Sequence, residues 1–324
     1  MIQDERLLEN LRYNLGDTIM NALGEDSVVE IDVNEDGKIW IEHLGEDMMY
    51  AGDLDASQAR MVINLVASSL EAPVSVERPF VEGELVLDGS RFEGTLPPIV
   101  AAPSFAIRKR ASRIFCLEEY VTDGIMPEYL VETFRDLVRQ RKNILVVGGT
   151  GSGKTTFVNA LIKEIASLCP KHRLLILQDT LELQSESENR EFLRTSDHVS
   201  MNRLLSICMR KRPDRIIIGE VRDGSALDLL KAWNTGHEGG IATIHANSAL
   251  EGLTRLEELV GEATIADKSP LIGRSIDVVI YLERAPRIGR RIREVMRVMK
   301  YDSSARQYVT QPIYSMEEQE DEEK

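Results

Sequence analysis

Apolar and polar residues alternate from Val28 to His43, with Val29, Ile31 and Val33 before, and Ile39 and Ile41 after, the segment Asn34-Glu35-Asp36-Gly37. This period of two around a turn predicts a β-hairpin. A helix is expected from about Ser57 to Leu70. Val74–Val76, Glu84–Leu87 and Arg91–Leu96 have the look of short strands, and Leu96-Pro97-Pro98 then breaks the pattern. Together these elements predict a small α+β N-terminal domain over residues 1–104. Residues 105–142 are expected to be a linker with a connecting helix. Pro127 suits its first turn, and Leu130, Phe134, Leu137 and Val138 form one apolar stripe running to about Arg141. From residue 143 the rhythm changes: Asn143–Val147, Leu174–Leu177, Arg215–Ile218, Ile241–His245 and Asp277–Tyr281 are short apolar runs separated by helical patterns. That alternation predicts an α/β domain around a parallel-rich sheet over residues 143–315. Ligands of such sheets sit at the carboxyl ends of the strands, where the polar motifs of this chain fall.

At 324 residues the chain is long enough for two domains, each with its own core. No apolar run approaches the length of a membrane span, and the start Met1-Ile2-Gln3-Asp4-Glu5 does not resemble a signal peptide. The three cysteines, Cys116, Cys169 and Cys208, are too widely spaced for a metal clip or an obvious disulfide framework. A reducing, cytosolic setting is expected. The formal charge of −15 disfavours broad attraction to nucleic acid or anionic lipid. Residues 316–324 carry six acidic groups against one lysine and are expected to form a solvated, disordered tail.

One segment has specific chemistry. The apolar run Asn143–Val147 leads into Gly148-Gly149-Thr150-Gly151-Ser152-Gly153-Lys154-Thr155-Thr156, which fits the phosphate-loop pattern G-x-x-x-x-G-K-[ST]. Its glycines let successive backbone N–H groups turn toward phosphate oxygens, Lys154 can reach the β- and γ-phosphates, and the Thr155 hydroxyl is suited to Mg²⁺. Phe157, Leu161, Ile165 and Leu168 then recur at helical spacing, so the helix dipole adds to the anion site. Two further strands end in carboxylates, Leu174–Leu177 with Asp179 and Glu182, and Arg215–Ile218 with Glu220. Cleavage of a γ-phosphate needs Mg²⁺ and a carboxylate to orient or deprotonate water, which makes Asp179 and Glu220 metal candidates beside Thr155. His237 and His245 bracket the strand Ile241–His245 without zinc-site spacing, and His245 shares the strand-tip position of the carboxylates.

These four segments in this order resemble the Walker A, Asp-box, Walker B and His-box motifs of the secretion ATPases of type II and type IV systems. Leu230-Lys231-Ala232-Trp233-Asn234-Thr235-Gly236-His237 and Leu87-Asp88-Gly89-Ser90-Arg91-Phe92-Glu93-Gly94 most resemble the TrbB-type conjugal transfer ATPases, and the likeness runs from about residue 11 to 314. The resemblance implies a RecA-like P-loop motor domain, a smaller N-terminal domain and a homo-hexameric ring that binds ATP and Mg²⁺. It implies a peripheral position at the inner face of the bacterial inner membrane, with inner-membrane components of a type IV secretion system as partners. It also implies roles for single residues. Glu220 is the Walker B glutamate, Glu182 the Asp-box carboxylate acting on water, His245 the sensor, and His237 a brace for its loop. Arg91 and Arg108 match N-terminal-domain arginines that reach the phosphates, and Arg203 and Arg210 are candidates for charge neutralisation across subunits. A planar guanidinium suits both tasks because it pairs bidentately with phosphate.

Two departures stand out. Gln178 occupies the place of a usual glutamate, which predicts a Mg²⁺ surrounding with one charge fewer and slow turnover. Glu238 replaces a usual proline, which predicts extra loop freedom and a negative charge near the site. The arginines 284, 287, 290, 291, 293 and 297 look like the solvated face of two strands joined by a turn at 288–291, with Ile292, Val295 and Val298 packed inward. No direct, specific nucleic-acid binding is expected from them. Two readings compete: an ATP-driven traffic motor for secretion or conjugal transfer, and a catalytically weak, nucleotide-dependent ring scaffold of the same machine. A monomeric kinase or GTPase ranks below both, for want of an Asn-Lys-x-Asp segment and any use for the arginines.

Overall fold

The computed structural model describes residues 2–110, 113–196, 198–285 and 289–316. The acidic tail beyond Met316 and the turn residues Arg287 and Ile288 lie outside the described residues. The chain divides into two compact units, Met1–Ser112 and Arg113–Lys324. This division differs from the expected 1–104 domain and 105–142 linker, because Ser104–Arg108 is a strand inside the first unit's sheet and the helices after it pack in the second.

The first unit contains α1 (Ile2–Gly24), β1 (Val28–Val33), β2 (Lys38–His43), β3 (Met49–Asp53), α2 (Ala56–Ser69), β4 (Phe80–Glu84), β5 (Arg91–Thr95) and β6 (Ser104–Arg108). The strands form one antiparallel sheet in the order β3-β2-β1-β6-β5-β4. The hairpin and the 57–70 helix lie where the pattern puts them, but the pattern assigns nothing to α1. Its apolar positions Leu11, Leu15 and Ile19 are buried, yet Gly16 interrupts the helix with a φ of 73°. Val74–Val76 is not a strand, and the expected 84–87 strand lies earlier, at β4. Apolar alternation continues through Leu85 and Leu87, but there the Asp88 carboxylate accepts from Ser90 N and Oγ and ends the strand in a turn. Both helices contribute to one core with Ile31, Val33, Phe92, Phe105 and Ile107.

The second unit contains α3 (Leu117–Thr122), α4 (Tyr129–Arg139), β7 (Ile144–Gly148), α5 (Lys154–Leu168), β8 (Leu174–Gln178), β9 (Arg190–Arg194), α6 (Met201–Cys208), β10 (Arg215–Ile218), α7 (Ser225–Trp233), β11 (Ile241–Ile244), α8 (Ala249–Ala263), α9 (Ser269–Ser275), β12 (Val278–Ala285), β13 (Gly289–Asp302) and β14 (Gln307–Ser315). Its sheet runs β14-β13-β12-β7-β11-β10-β8-β9, parallel from β12 to β9 with an antiparallel edge of β13 and β14. This is the expected α/β architecture with a parallel-rich sheet. Every residue of β7, β8, β10 and β11 is buried. Alternate side chains serve two helical layers: Leu145, Val147, Leu175 and Ile216 pack with α6, α7 and α8, whereas Ile144, Val146, Ile176 and Ile217 pack with Phe134 of α4 and Phe157 of α5. Among the described residues no helix is long and apolar enough to cross a membrane.

The starts of the strands are tied together by buried polar groups. Asn143 donates Nδ2 to the Ser275 carbonyl at 2.7 Å, and its Oδ1 accepts from Gly239 N at 2.8 Å and Gly240 N at 3.1 Å. Arg215, buried at the start of β10, donates to the carbonyls of Gly239 at 2.9 Å and Val138 at 2.7 Å and to His172 Nδ1 at 3.0 Å. Burial holds its guanidinium below its ordinary pKa.

On the outer face of the first sheet, Asp32 stands opposite Trp40, and neither Asp32 Oδ1 nor Trp40 Nε1 has a hydrogen-bond partner among the described residues. Burial, reinforced by Glu30 and Glu42, raises the Asp32 carboxyl from 3.8 to about 6. The fold therefore favours the protonated form, whose stabilisation is complete below 3.8 and is lost as the pH rises through about 6. Asp32→Asn is expected to raise the melting temperature at pH 8 and to leave it nearly unchanged at pH 3.5. Equal shifts at both pH values would show that ionisation of Asp32 is not the cause.

Candidate active site

The phosphate loop joins the end of β7 to the start of α5. Its glycines are required by close packing: a Cβ at Gly148 would lie 2.4 Å from the Leu282 carbonyl oxygen, and Gly153 has a φ of 91°. Gly149 and Thr150 are exposed at the top of the loop, whereas Ser152 is buried beneath it. Ser152 Oγ has no partner among the described residues, an unspent hydroxyl inside a loop shaped for an anion. Lys154, buried at the first helical position, donates Nζ to the carbonyls of Gly148 and Gly149 at 2.8 Å each. Its Nζ also lies 3.4 Å from His245 Nδ1.

Because β11 and β10 follow β7 in the sheet, their polar ends line up with the loop. His245 Nε2 is 3.0 Å from Glu220 Oε1, so lysine, histidine and glutamate form one chain of contacts across three strand ends. The two partners assign the tautomer: Nε2–H donates to the carboxylate and Nδ1 accepts from the ammonium. Arg222 holds the other oxygen of Glu220. On the far side, Thr155 Oγ1 donates to Glu182 Oε2 at 3.2 Å, and Thr180 Oγ1 lies 3.4 Å from Oε1 of the same carboxylate. Thus Glu182, rather than Asp179, is the carboxylate that meets Thr155. Asp179 accepts instead from Thr195 Oγ1 at 2.8 Å. Thr156, the third residue of the helix, is half-buried.

The turn carrying Glu182 is held by two residues whose roles the motifs do not reveal. Gln178 is buried at the end of β8, and its Oε1 accepts from Glu182 N at 3.0 Å and Leu183 N at 2.9 Å. Asn159, on α5, donates to the Glu182 carbonyl at 3.2 Å and accepts from Gln184 N at 2.9 Å. A polar residue among the buried positions of α5 was the available signal for Asn159. Among the described residues no group of three or more His, Cys, Asp or Glu side chains is arranged to hold a metal alone. Mg²⁺ does not need one, since it commonly relies on one or two protein ligands, waters and phosphate oxygens. The Thr155 hydroxyl and the carboxylates at the strand ends fit that manner of binding.

The remaining candidates belong to other elements. Arg91 and Arg108 face each other across the β5–β6 ladder of the first unit, flanked in the same row by Glu84 and Glu30. Arg203 and Arg210, on and just after α6, are exposed. His237 Nδ1 lies 3.0 Å from the Pro213 carbonyl, where it braces the loop before β11. Glu238 is in that same loop, at the opposite end of β11 from His245. Its carbonyl accepts from Arg141, and the next two residues are held by Asn143. The expected loop freedom and nearby negative charge are therefore corrected: the loop is anchored, and Glu238 lies at the wrong edge of the sheet.

Residues 90–313 match the family of type II/IV secretion system proteins. This chain belongs to that family. It is 50% identical over 296 residues to a probable conjugal transfer protein TrbB of Sinorhizobium fredii, covering 91% of each chain. It is 48% identical over 313 residues to the conjugal transfer protein TrbB of Rhizobium radiobacter, covering 97% of this chain and 96% of the relative. Among solved structures, the Legionella pneumophila ATPase DotB aligns with a TM-score of 0.64 and 18% identity, over 94% of this chain and 82% of that one. That likeness concerns the fold. In this member of the secretion family the matched stretch runs from Ser90 nearly to the end of β14, so it takes in every candidate site residue from Arg91 to His245.

The Gln178 clamp makes a direct prediction. Gln178→Met keeps the bulk but leaves the N–H groups of residues 182 and 183 without their acceptor, at a cost of roughly 1–3 kcal/mol. Denaturant unfolding should register that loss, whereas Gln178→Glu, which keeps an acceptor oxygen, should retain more of the stability. Wild-type stability in the methionine variant would remove the clamp from the account of Glu182.

Proposed function

We propose that this chain is an ATP-hydrolysing traffic motor that energises a type IV secretion or conjugal transfer system. The observation that carries the reading is the convergence of Lys154, His245 and Glu220, with Thr155 and Glu182, at one edge of a parallel sheet beside a glycine-rich loop. The kinship with conjugal transfer proteins supports the machine in which the motor works. In this reading the protein forms a homo-hexamer in the cytoplasm and docks on inner-membrane components at the inner face of the bacterial membrane.

The phosphate loop, residues 148–156, binds the triphosphate of ATP through backbone N–H groups, with the Ser152 and Thr156 hydroxyls nearby. Lys154 exchanges the carbonyls of Gly148 and Gly149 for β- and γ-phosphate oxygens, and its contact with His245 connects that exchange to the neighbouring strand end. Thr155, with Asp179 and Glu220, would hold Mg²⁺, which when bound would supply charge neutralisation on the phosphates. Glu182 orients the attacking water and accepts its proton, with its carboxylate aimed by Thr155 and Thr180. His245 reports the γ-phosphate to Glu220, to which it donates. Arg91 and Arg108 reach the phosphates from the N-terminal unit, and Arg203 and Arg210 neutralise charge across the subunit boundary.

The competing scaffold reading rests on Gln178. Its force is limited, because the glutamine already supplies the oxygen that accepts two backbone N–H groups beneath Glu182. Hydrolysis measured against protein concentration, with mass determination on the same samples, separates the two readings. Turnover should rise as a ring assembles, and a ring that binds ATP without turnover would favour the scaffold. Lys154→Ala or Glu220→Ala should lower turnover by roughly 10²–10³-fold, and Glu182→Ala by about 10²–10⁴-fold. Wild-type turnover in Lys154→Ala would sink the mechanism. Arg91→Ala should reduce the rate per subunit, whereas an unchanged rate would remove that arginine from the site.

A further inference from the structure

The β12–β13 pair reaches the phosphate loop, and its register delivers two cations there together. Arg284 and Arg290 are directly opposite one another in the ladder, one pair beyond Leu282 and Ile292 when every second position is counted. Leu282 and Ile292 are buried in the core that includes Phe157 and Leu161 of α5, so alternation keeps residues 284 and 290 on the face that carries the loop. Arg290 Nε donates to the Gly151 carbonyl at 3.0 Å. A Cβ at Gly153 would lie 2.9 Å from Arg290 Cδ, and one at Gly151 would lie 3.5 Å from Arg284 Nη1. The loop's glycines thus admit the arginines as well as a phosphate. Glu283, on the other face, engages Arg291 and Arg293. The sequence pattern puts all these arginines on a solvated face; the pairing instead divides them, and 284 and 290 belong to the loop.

We propose that Arg284 and Arg290 bracket the polyphosphate of the bound nucleotide, which makes the hairpin a further wall of the nucleotide site contributed by the same subunit. The proposal rests on the reading of residues 148–156 as an ATP site. A guanidinium carries five N–H donors in a planar fork, enough to hold a loop carbonyl and phosphate oxygens at once. Two such groups opposite each other concentrate positive charge at one point beside the loop, which favours a multiply charged anion over a neutral sugar or base. By fixing the carbonyl of Gly151, Arg290 also holds the 151–152 peptide plane with its N–H turned toward the inside of the loop.

The test is binding of ATP and of inorganic tripolyphosphate to the full chain and to Arg284→Ala, Arg290→Gln and Lys154→Ala, each at low and moderate salt. Each arginine variant should lose affinity for both ligands by about 10-fold, with a shallower salt dependence. Its melting temperature without ligand should stay within about 2 °C of wild type. If Arg290→Gln falls outside that limit, Arg284→Ala on the facing strand carries the decision. Reduced ATP affinity with unchanged tripolyphosphate affinity would mean contact with the base or sugar, and would overturn the bracket. Wild-type affinity for both ligands would overturn it as well. A wild-type chain that binds neither ligand would instead sink the nucleotide reading itself, a failure distinguishable from the other two.

Discussion

A strand buried on both faces can carry charge only at its ends, and that constraint on β7 organises the second unit. Ile144 to Gly148 are buried throughout, and so are β11, β10 and β8 on one side of it. The charged groups that these four strands position therefore gather at one of the two edges. The two edges are finished differently. At the strand starts, Asn143 and Arg215 spend their donors and acceptors on neighbouring backbone groups. At the strand ends, Ser152 Oγ and Gln178 Nε2 are buried without partners among the described residues. One edge is a closed joint, and the other keeps buried polar atoms without partners among the described residues.

Local signals carried most of the fold and part of the site. The phosphate loop was legible because a loop that wraps an anion needs its glycines, lysine and threonine at fixed spacing. The buried strands were legible because continuous apolar runs of that length have few alternatives. The misses have physical causes as well. Gly16 divides the stripe of α1, and β4 is shifted because Leu85 and Leu87 extend its alternation into a turn. β9, at the edge of the sheet, mixes Arg190, Glu191 and Arg194 with its apolar residues and so has no buried-strand signature. Contacts such as Asn159 with the Glu182 turn, or Arg290 with Gly151, join residues far apart in the chain. No spacing rule encodes them, since they exist only once the sheet order is set.

The two departures from the family pattern show how much a residue's edge matters. Glu238 looked like an added charge at the site but belongs to the closed joint, where its backbone carbonyl is what the fold uses. Gln178 does belong to the open edge. Its buried amide takes two backbone N–H groups with Oε1, a task a carboxylate would perform with stronger hydrogen bonds. The difference lies in charge. Asp179, Glu182 and Glu220 already bring three carboxylates to adjacent strand ends. A fourth, buried as deeply as Gln178, would have to be desolvated beside them, and like charges in such a site push one another toward protonation. The amide of the glutamine therefore holds the turn beneath Glu182 without adding that further charge beside the three carboxylates.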